Sequence, residues 1–184
     1  MIKKLIKEKF LILDGAMGTQ IQEADIKDED WRGNAGCNEI LNSSAPEVIK
    51  SIHRKYLNAG ADIIKTNTFG AIPWVLEDYD ILSQTHELAY SGVKLAKEVT
   101  SEYENRFVAG ALGPGTKLPS LGHINYATMY SGYKVSAKAM IEAGVDVFLL
   151  ETAQDPLQIK AGLHAIEDSC KEDGVNGGVR YETG

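Results

Sequence analysis

Two acidic residues, Asp14 and Glu151, each stand directly after a short apolar run, Phe10–Leu13 and Val145–Leu150. Two carboxylates meeting over one mouth can grip an ammonium group, because the cation offsets the cost of desolvating them. They can also work as an acid and a base, or each can be a solvated loop or capping group. Asp14 opens the segment Asp14-Gly-Ala-Met-Gly-Thr19. Gly15 and Gly18 in it suit a tight turn that brings backbone close to a ligand and leaves amide N–H groups free for a carboxylate. The spacing lacks the third glycine and later acidic residue of a dinucleotide fingerprint, and no Lys-Ser/Thr follows Gly110–Gly115 as a phosphate loop requires. Thr66, Asn67 and Thr68 offer hydrogen bonds after a third apolar run. His53 and His86 fall inside helical patterns and read as packed or surface groups, His123 as a loop residue. Cys37, a single thiol in Gly36-Cys-Asn-Glu39, reads as structural rather than nucleophilic.

The elements that must position these residues alternate. Apolar runs at Phe10–Leu13, Ala61–Ile64, Phe107–Leu112 and Val145–Leu150 are continuous rather than alternating, the pattern of strands buried on both faces of a parallel sheet. Val175–Tyr181 is a weaker fifth strand, diluted by Gly177 and Gly178. Between them, Val48, Ile49, Ile52, Tyr56 and Leu57 form a helical stripe, with Ser44 and Glu47 as a capping box, Pro46 in the first turn and Gly60 as the stop. Further helices are expected at about 83–103, 126–143 and 156–170. A small internal repeat, Asn58-Ala-Gly-Ala-Asp-Ile63 and Glu142-Ala-Gly-Val-Asp-Val147, closes a helix on glycine and enters a strand each time. The reading is one α/β domain of repeated βα units, with polar residues at the C-terminal strand ends where barrels of this class do their work.

Bulk composition narrows the partners. The chain has 184 residues, 43% hydrophobic and 24% charged, with net charge −7, which argues against a broad nucleic-acid surface. No apolar run approaches the roughly 20 residues of a membrane span, and the one after the basic start is too short for a signal peptide. Cys37 and Cys170 form neither a disulfide framework nor a metal spacing. A cytoplasmic address is expected.

The segments Leu13-Asp-Gly-Ala-Met-Gly-Thr-Gln20, Gly36-Cys-Asn-Glu-Ile-Leu-Asn42 and Ala59-Gly-Ala-Asp-Ile-Ile-Lys-Thr-Asn-Thr-Phe-Gly70 occur in order, followed by Ala109–Pro114 and Gly144–Thr152. Together they resemble the homocysteine S-methyltransferase family, in particular the homocysteine-binding domain of cobalamin-dependent methionine synthase. The resemblance implies an eight-stranded (β/α)8 barrel of the TIM type. Asp14 and Glu151 match the family carboxylates that hold the amino group of homocysteine. Backbone at Gly15, Ala16 and Met17 matches the carboxylate site, and Thr66 and Asn67 match the second strand end. It also implies a zinc ion held by three cysteines, which keeps the substrate sulfur as a thiolate. The methyl donor in the family is methyl-cobalamin on another domain or protein, a betaine, or a sulfonium compound.

The family's zinc-bearing segments, Asn-Cys and Gly-Gly-Cys-Cys, do not occur in these 184 residues, and Cys37 and Cys170 do not match them. Residues 1–184 are therefore expected to be the N-terminal portion of a barrel, with about five strands and four helices. A complementary C-terminal half, a corrinoid protein or a second copy would be its partner, and the isolated chain is predicted inactive. Two other readings stay open: a non-catalytic half-barrel that docks on such a partner, and a barrel hydrolase using Asp14 and Glu151. The hydrolase would need the carboxyls about 5–5.5 or about 6.5–9.5 Å apart.

Overall fold

The computed structural model describes residues 2–174; the weak strand expected at Val175–Tyr181 lies outside them. In chain order the elements are α1 (Ile2–Glu8), α2 (Met17–Gln22), α3 (Leu41–Ser44), α4 (Pro46–Asn58), β1 (Ile63–Lys65), α5 (Pro73–Leu76), α6 (Thr85–Thr100), β2 (Phe107–Leu112), α7 (Tyr126–Glu142), β3 (Val147–Leu150) and α8 (Pro156–Glu172). The three strands form one parallel sheet in the order β1-β2-β3, each followed by a long helix. Every residue of β2 is buried while β3 is half-buried throughout, as a central strand between two neighbours requires.

In register, Ile64 lies beside Val108, while Gly110 and Leu112 of β2 lie beside Phe148 and Leu150. This set faces the helices: a Cβ on Gly110 would meet the Met140 sulfur of α7 at 2.8 Å, and one on Gly162 of α8 would meet Leu150 at 2.6 Å. The alternate set, Lys65, Ala109, Ala111, Val147 and Leu149, faces away from the helices. The core lies between sheet and helices, around Ile49, Ile52, Ile64, Leu88, Val93, Leu112, Met140 and Ala165.

Three expectations change. Against about five strands and four helices, the described residues hold three strands and eight α-helices, because short helical turns at α1, α2, α3 and α5 add to the four long helices. The run Phe10–Leu13 does not form a full strand; it adds to β1 only as a parallel bridge at Leu13–Ile63. Its backbone is shared with a side chain, since Ile12 N donates to Asp62 Oδ2 at 3.0 Å while Ile12 O accepts from Asp62 N and Ile63 N. The Ser44–Glu47 capping box is also absent. Ala45 is the N-cap of α4, without a side-chain cap, because the Ser44 hydroxyl donates to Ile40 O at 3.0 Å. Gly60 takes φ +104°, the left-handed stop the sequence called for.

The internal repeat has a mechanical cause. Asp62 and Asp146, equivalent in the two copies, each receive a backbone N–H from the preceding strand segment. Ile12 N reaches Asp62 at 3.0 Å and Val108 N reaches Asp146 at 2.8 Å. Each aspartate also takes a lysine, Lys9 at 2.8 Å and Lys97 at 3.0 Å.

Candidate functional site

The C-terminal ends of the strands carry the polar residues. Asp14 N donates to Ile63 O at 2.9 Å, and Glu151 N donates to Leu112 O at 3.2 Å, so backbone pairing fixes both carboxylate-bearing residues to the sheet. One carboxylate oxygen of Asp14 accepts from the backbone N–H of Lys65 at 3.0 Å. The other, Oδ1, is buried without a hydrogen-bond partner. Burial pushes the Asp14 carboxyl up to about 7, against the lowering pull of the Lys65 N–H and ammonium, and the nearby negative charge of Glu151 adds to the rise. The charge of Glu151 is thus felt at Asp14, which places the two carboxyls in one electrostatic neighbourhood.

Lys65 links them. Its backbone holds Asp14, and its Nζ pairs with Glu151 Oε2 at 3.4 Å, the two side chains being 21% and 24% exposed. Sequence reasoning passed over Lys65 because it sits in the middle of a family-like motif and reads as the end of a strand; its position two residues after Ile63, on the alternate face, was the available signal.

Gly15 and Ala16 are exposed and Met17 is half-buried. The Tyr56 hydroxyl donates to Ala16 O at 2.8 Å. A Cβ on Gly15 would come within 2.9 Å of that hydroxyl, so glycine is what allows Tyr56 to pin the turn. Thr66 and Asn67 are buried, and their side chains are engaged inside the protein. Thr66 Oγ1 accepts from Ala111 N at 3.0 Å, tying β1 to β2, and hydrogen-bonds the Thr68 hydroxyl. Asn67 Nδ2 donates to Asn38 O at 2.8 Å and Asn42 Oδ1 at 2.9 Å, while Asn67 O accepts from Asn42 Nδ2 at 2.8 Å. Glu39 completes this lock by accepting Gly70 N at 2.7 Å. The Gly36–Asn42 segment therefore serves the loop after β1.

Next to Glu151, Thr152 takes φ +63°, a left-handed conformation that a β-branched residue rarely adopts. Beyond it opens a cavity of about 270 Å³, walled by Phe69, Val75, Pro114, Gly115, Thr152 and Gln154. The Phe69 ring is 42% exposed there.

The thiols lie elsewhere in chemical character. Cys37 is buried and donates to Glu39 Oε2 at 3.7 Å; burial first, then the charge of Glu39, pushes its thiol up to about 11. It is a protonated structural group at neutral pH. Cys170 is buried on α8 and its thiol is also raised by burial. Among the described residues no three His, Cys, Asp or Glu side chains converge where a metal ion could be held. The zinc that the resemblance implies does not fit these residues. Among the same residues no helix is long and apolar enough to cross a membrane.

Comparison with known proteins agrees with this architecture. The chain is 45% identical over 163 residues to a methionine synthase of Mycobacterium tuberculosis, covering 86% of this chain and 14% of that protein. It is likewise 45% identical over 162 residues to a methionine synthase of Mycobacterium leprae, covering 86% and 13%. The chain thus spans about one seventh of the length of these relatives. The metallated form of the homocysteine methyltransferase MmuM from Escherichia coli shares the fold, with a TM-score of 0.74 at 21% identity over 94% of this chain and 63% of that one. Its apo form gives 0.64 at 22% identity, over 91% and 57%. The family model described as homocysteine S-methyltransferase matches residues 11–177, and the chain belongs to that family.

Proposed function

We propose that residues 1–184 are the N-terminal portion of a (β/α)8 barrel domain that binds homocysteine for transfer of a methyl group to its sulfur, giving methionine. The observation that carries this reading is the buried, unpartnered Oδ1 of Asp14 beside the Lys65–Glu151 pair, all at the C-terminal strand ends. Asp14 and Glu151 receive the substrate ammonium, which supplies the donor that Asp14 Oδ1 lacks. Backbone at Gly15, Ala16 and Met17 meets the carboxylate. Thr66 and Asn67, occupied by their own hydrogen bonds, shape the mouth from beneath. The carbon-walled cavity past Thr152 suits the methylene chain.

This chain's residues bind and orient; they do not activate. Attack on a methyl group needs the thiolate, and the described residues contain no metal cluster or base-paired thiol to produce it. The activating segment belongs to later barrel strands or to a complementary chain. The methyl donor of this reading, from the sequence resemblance to cobalamin-dependent methionine synthase, is methyl-cobalamin on another domain or protein.

A second reading, a half-barrel that docks on a complementary chain or corrinoid protein without binding substrate itself, is favoured by the exposure of Phe10 (97%), Ile12 (60%) and Leu13 (42%). Calorimetric titration of homocysteine separates the two. Zinc-independent binding is expected, weakened about tenfold by Asp14→Asn, which corresponds to about 1.4 kcal/mol. Equal affinity in wild type and Asp14→Asn would remove the carboxylate from this role. The isolated chain, given zinc and a methyl donor, is expected to make no methionine.

A further inference from the structure

Lys65 is assigned no ligand group in the reading above, yet it is the cation beside Asp14 and Glu151. Its Nζ has three donors and one acceptor among the described residues, Glu151 Oε2 at 3.4 Å. That is beyond the usual 2.7–3.2 Å of an N–H···O bond. Its side chain remains 21% exposed on the face of the sheet that points away from the helices. The backbone N–H of the same residue holds Asp14 Oδ2, leaving Asp14 Oδ1 buried and empty-handed. The strand ends therefore set an unsatisfied carboxylate acceptor and an undersatisfied cationic donor side by side, both fixed by a single residue of β1.

From this geometry we infer that Lys65 receives the α-carboxylate of the substrate and thereby restricts the site to zwitterionic amino acids. The inference rests on the homocysteine reading and deepens it. An α-amino acid carries an ammonium and a carboxylate on one carbon, so when its cation meets Asp14 its anion comes to the neighbouring ammonium of Lys65. A plain amine can satisfy Asp14 as well, but it then sets its charge against that of Lys65 with nothing between them. Like charges forced together cost affinity, and the substrate carboxylate turns the same repulsion into attraction. The charged side chain supplies what backbone N–H groups at Gly15–Met17 cannot, since they bind an anion without rejecting a bare cation.

The test compares L-homocysteine with 3-aminopropane-1-thiol, the same molecule without its carboxylate, by calorimetry on the full chain at pH 7.5. Wild type is expected to prefer homocysteine by about tenfold or more. Lys65→Met should lose homocysteine affinity by a similar factor while holding or gaining affinity for the amine, so that the preference collapses. Lys65→Gln should behave like Lys65→Met, and Lys65→Arg should retain the preference; thermal melting verifies that each is folded. Homocysteine binding to wild type with an unchanged preference in Lys65→Met and Lys65→Gln overturns the role of Lys65 and leaves the proposed function standing. Equal binding of both ligands to wild type does the same. Failure of wild type to bind either ligand overturns the homocysteine reading and this inference with it.

Discussion

Asp14, half-buried, and His53, fully buried, are two ionisable groups whose pH effects run in opposite directions. Asp14, held near 7 by burial against an ordinary value of 3.8, keeps its proton in the folded state while the unfolded chain loses it. The folded state therefore binds more protons between about pH 4 and 7, and this group's contribution to stability falls as pH rises through that window. An ammonium ligand needs the carboxylate, so homocysteine affinity should fall as pH drops below about 7, with a proton released on binding at pH 6. Asp14→Asn should flatten that profile, as calorimetry in buffers of different ionisation enthalpy would reveal; a pH-independent wild type would contradict it. His53 is fully buried on α4 with both ring nitrogens unpartnered, and burial lowers it from 6.5 to about 4. The unfolded chain takes up a proton below 6.5 while the folded one refuses it until about 4, so stability drains away as pH falls between those values. His53→Leu should remove that acid slope and stabilise the protein by about 1–3 kcal/mol at pH 7, measured by urea denaturation at pH 7 and 5. A destabilised variant would mean that the imidazole has a partner after all. The helical pattern around Val48–Leu57 left His53 open as a packed or a surface group; an orphaned ring cannot be read from a stripe.

At the scale of elements, glycines in helices mark where helix and strand ends touch. Gly92 on α6 has Thr68 Cγ2 only 2.4 Å from where its Cβ would stand, and Asn42 Nδ2 at 2.8 Å. Gly92→Ala should push α6 off the Asn42–Asn67 lock and cost about 1–3 kcal/mol, read as a lowered denaturation midpoint; an unchanged midpoint would mean that the lock is slack. The strands β2 and β3 and the helices α4, α6, α7 and α8 were legible because continuous apolar runs and 3.6-residue stripes report burial directly. Caps were less so. The Ser44–Glu47 pattern lost to Ile40 O, a competing acceptor one turn back. The real box, Asp155 with Gln158 at the start of α8, obeys the same rule and went unread. The first strand was overestimated because its apolar residues face solvent and the Asp62 side chain takes a place in its hydrogen bonding. Of the site, Asp14 and Glu151 could be seen from their positions after apolar runs, whereas the link between them depends on a lysine side chain reaching from β1 toward the end of β3.

For the molecule as a whole, neighbouring helices are joined by ion pairs on the outside, Lys50–Glu98 between α4 and α6, Arg54–Glu102 between α4 and the turn after α6, and Lys138–Glu172 between α7 and α8. Apart from the Lys50 stem, which is 12% exposed, these side chains stand largely in solvent, and such pairs contribute little singly. The partly buried aspartates that begin β1 and β3 are the stronger fasteners, since charge-assisted hydrogen bonds to backbone are worth about 1.5–3 kcal/mol. Asp146→Ala should therefore speed hydrogen exchange in β3 and α8 well before α4 and β1 respond; uniform acceleration would indicate that the units do not separate. The backbone bonds of Asp62 and Asp146 both reach backward, to the strand made just before them, while Asp62 Oδ1 also takes Arg106 Nη1 from the later chain at 3.4 Å. Such backward hooks suit a chain that emerges from the ribosome N-terminus first: each new βα unit latches onto a platform already built, and Asp62 gains a second cation when Arg106 arrives.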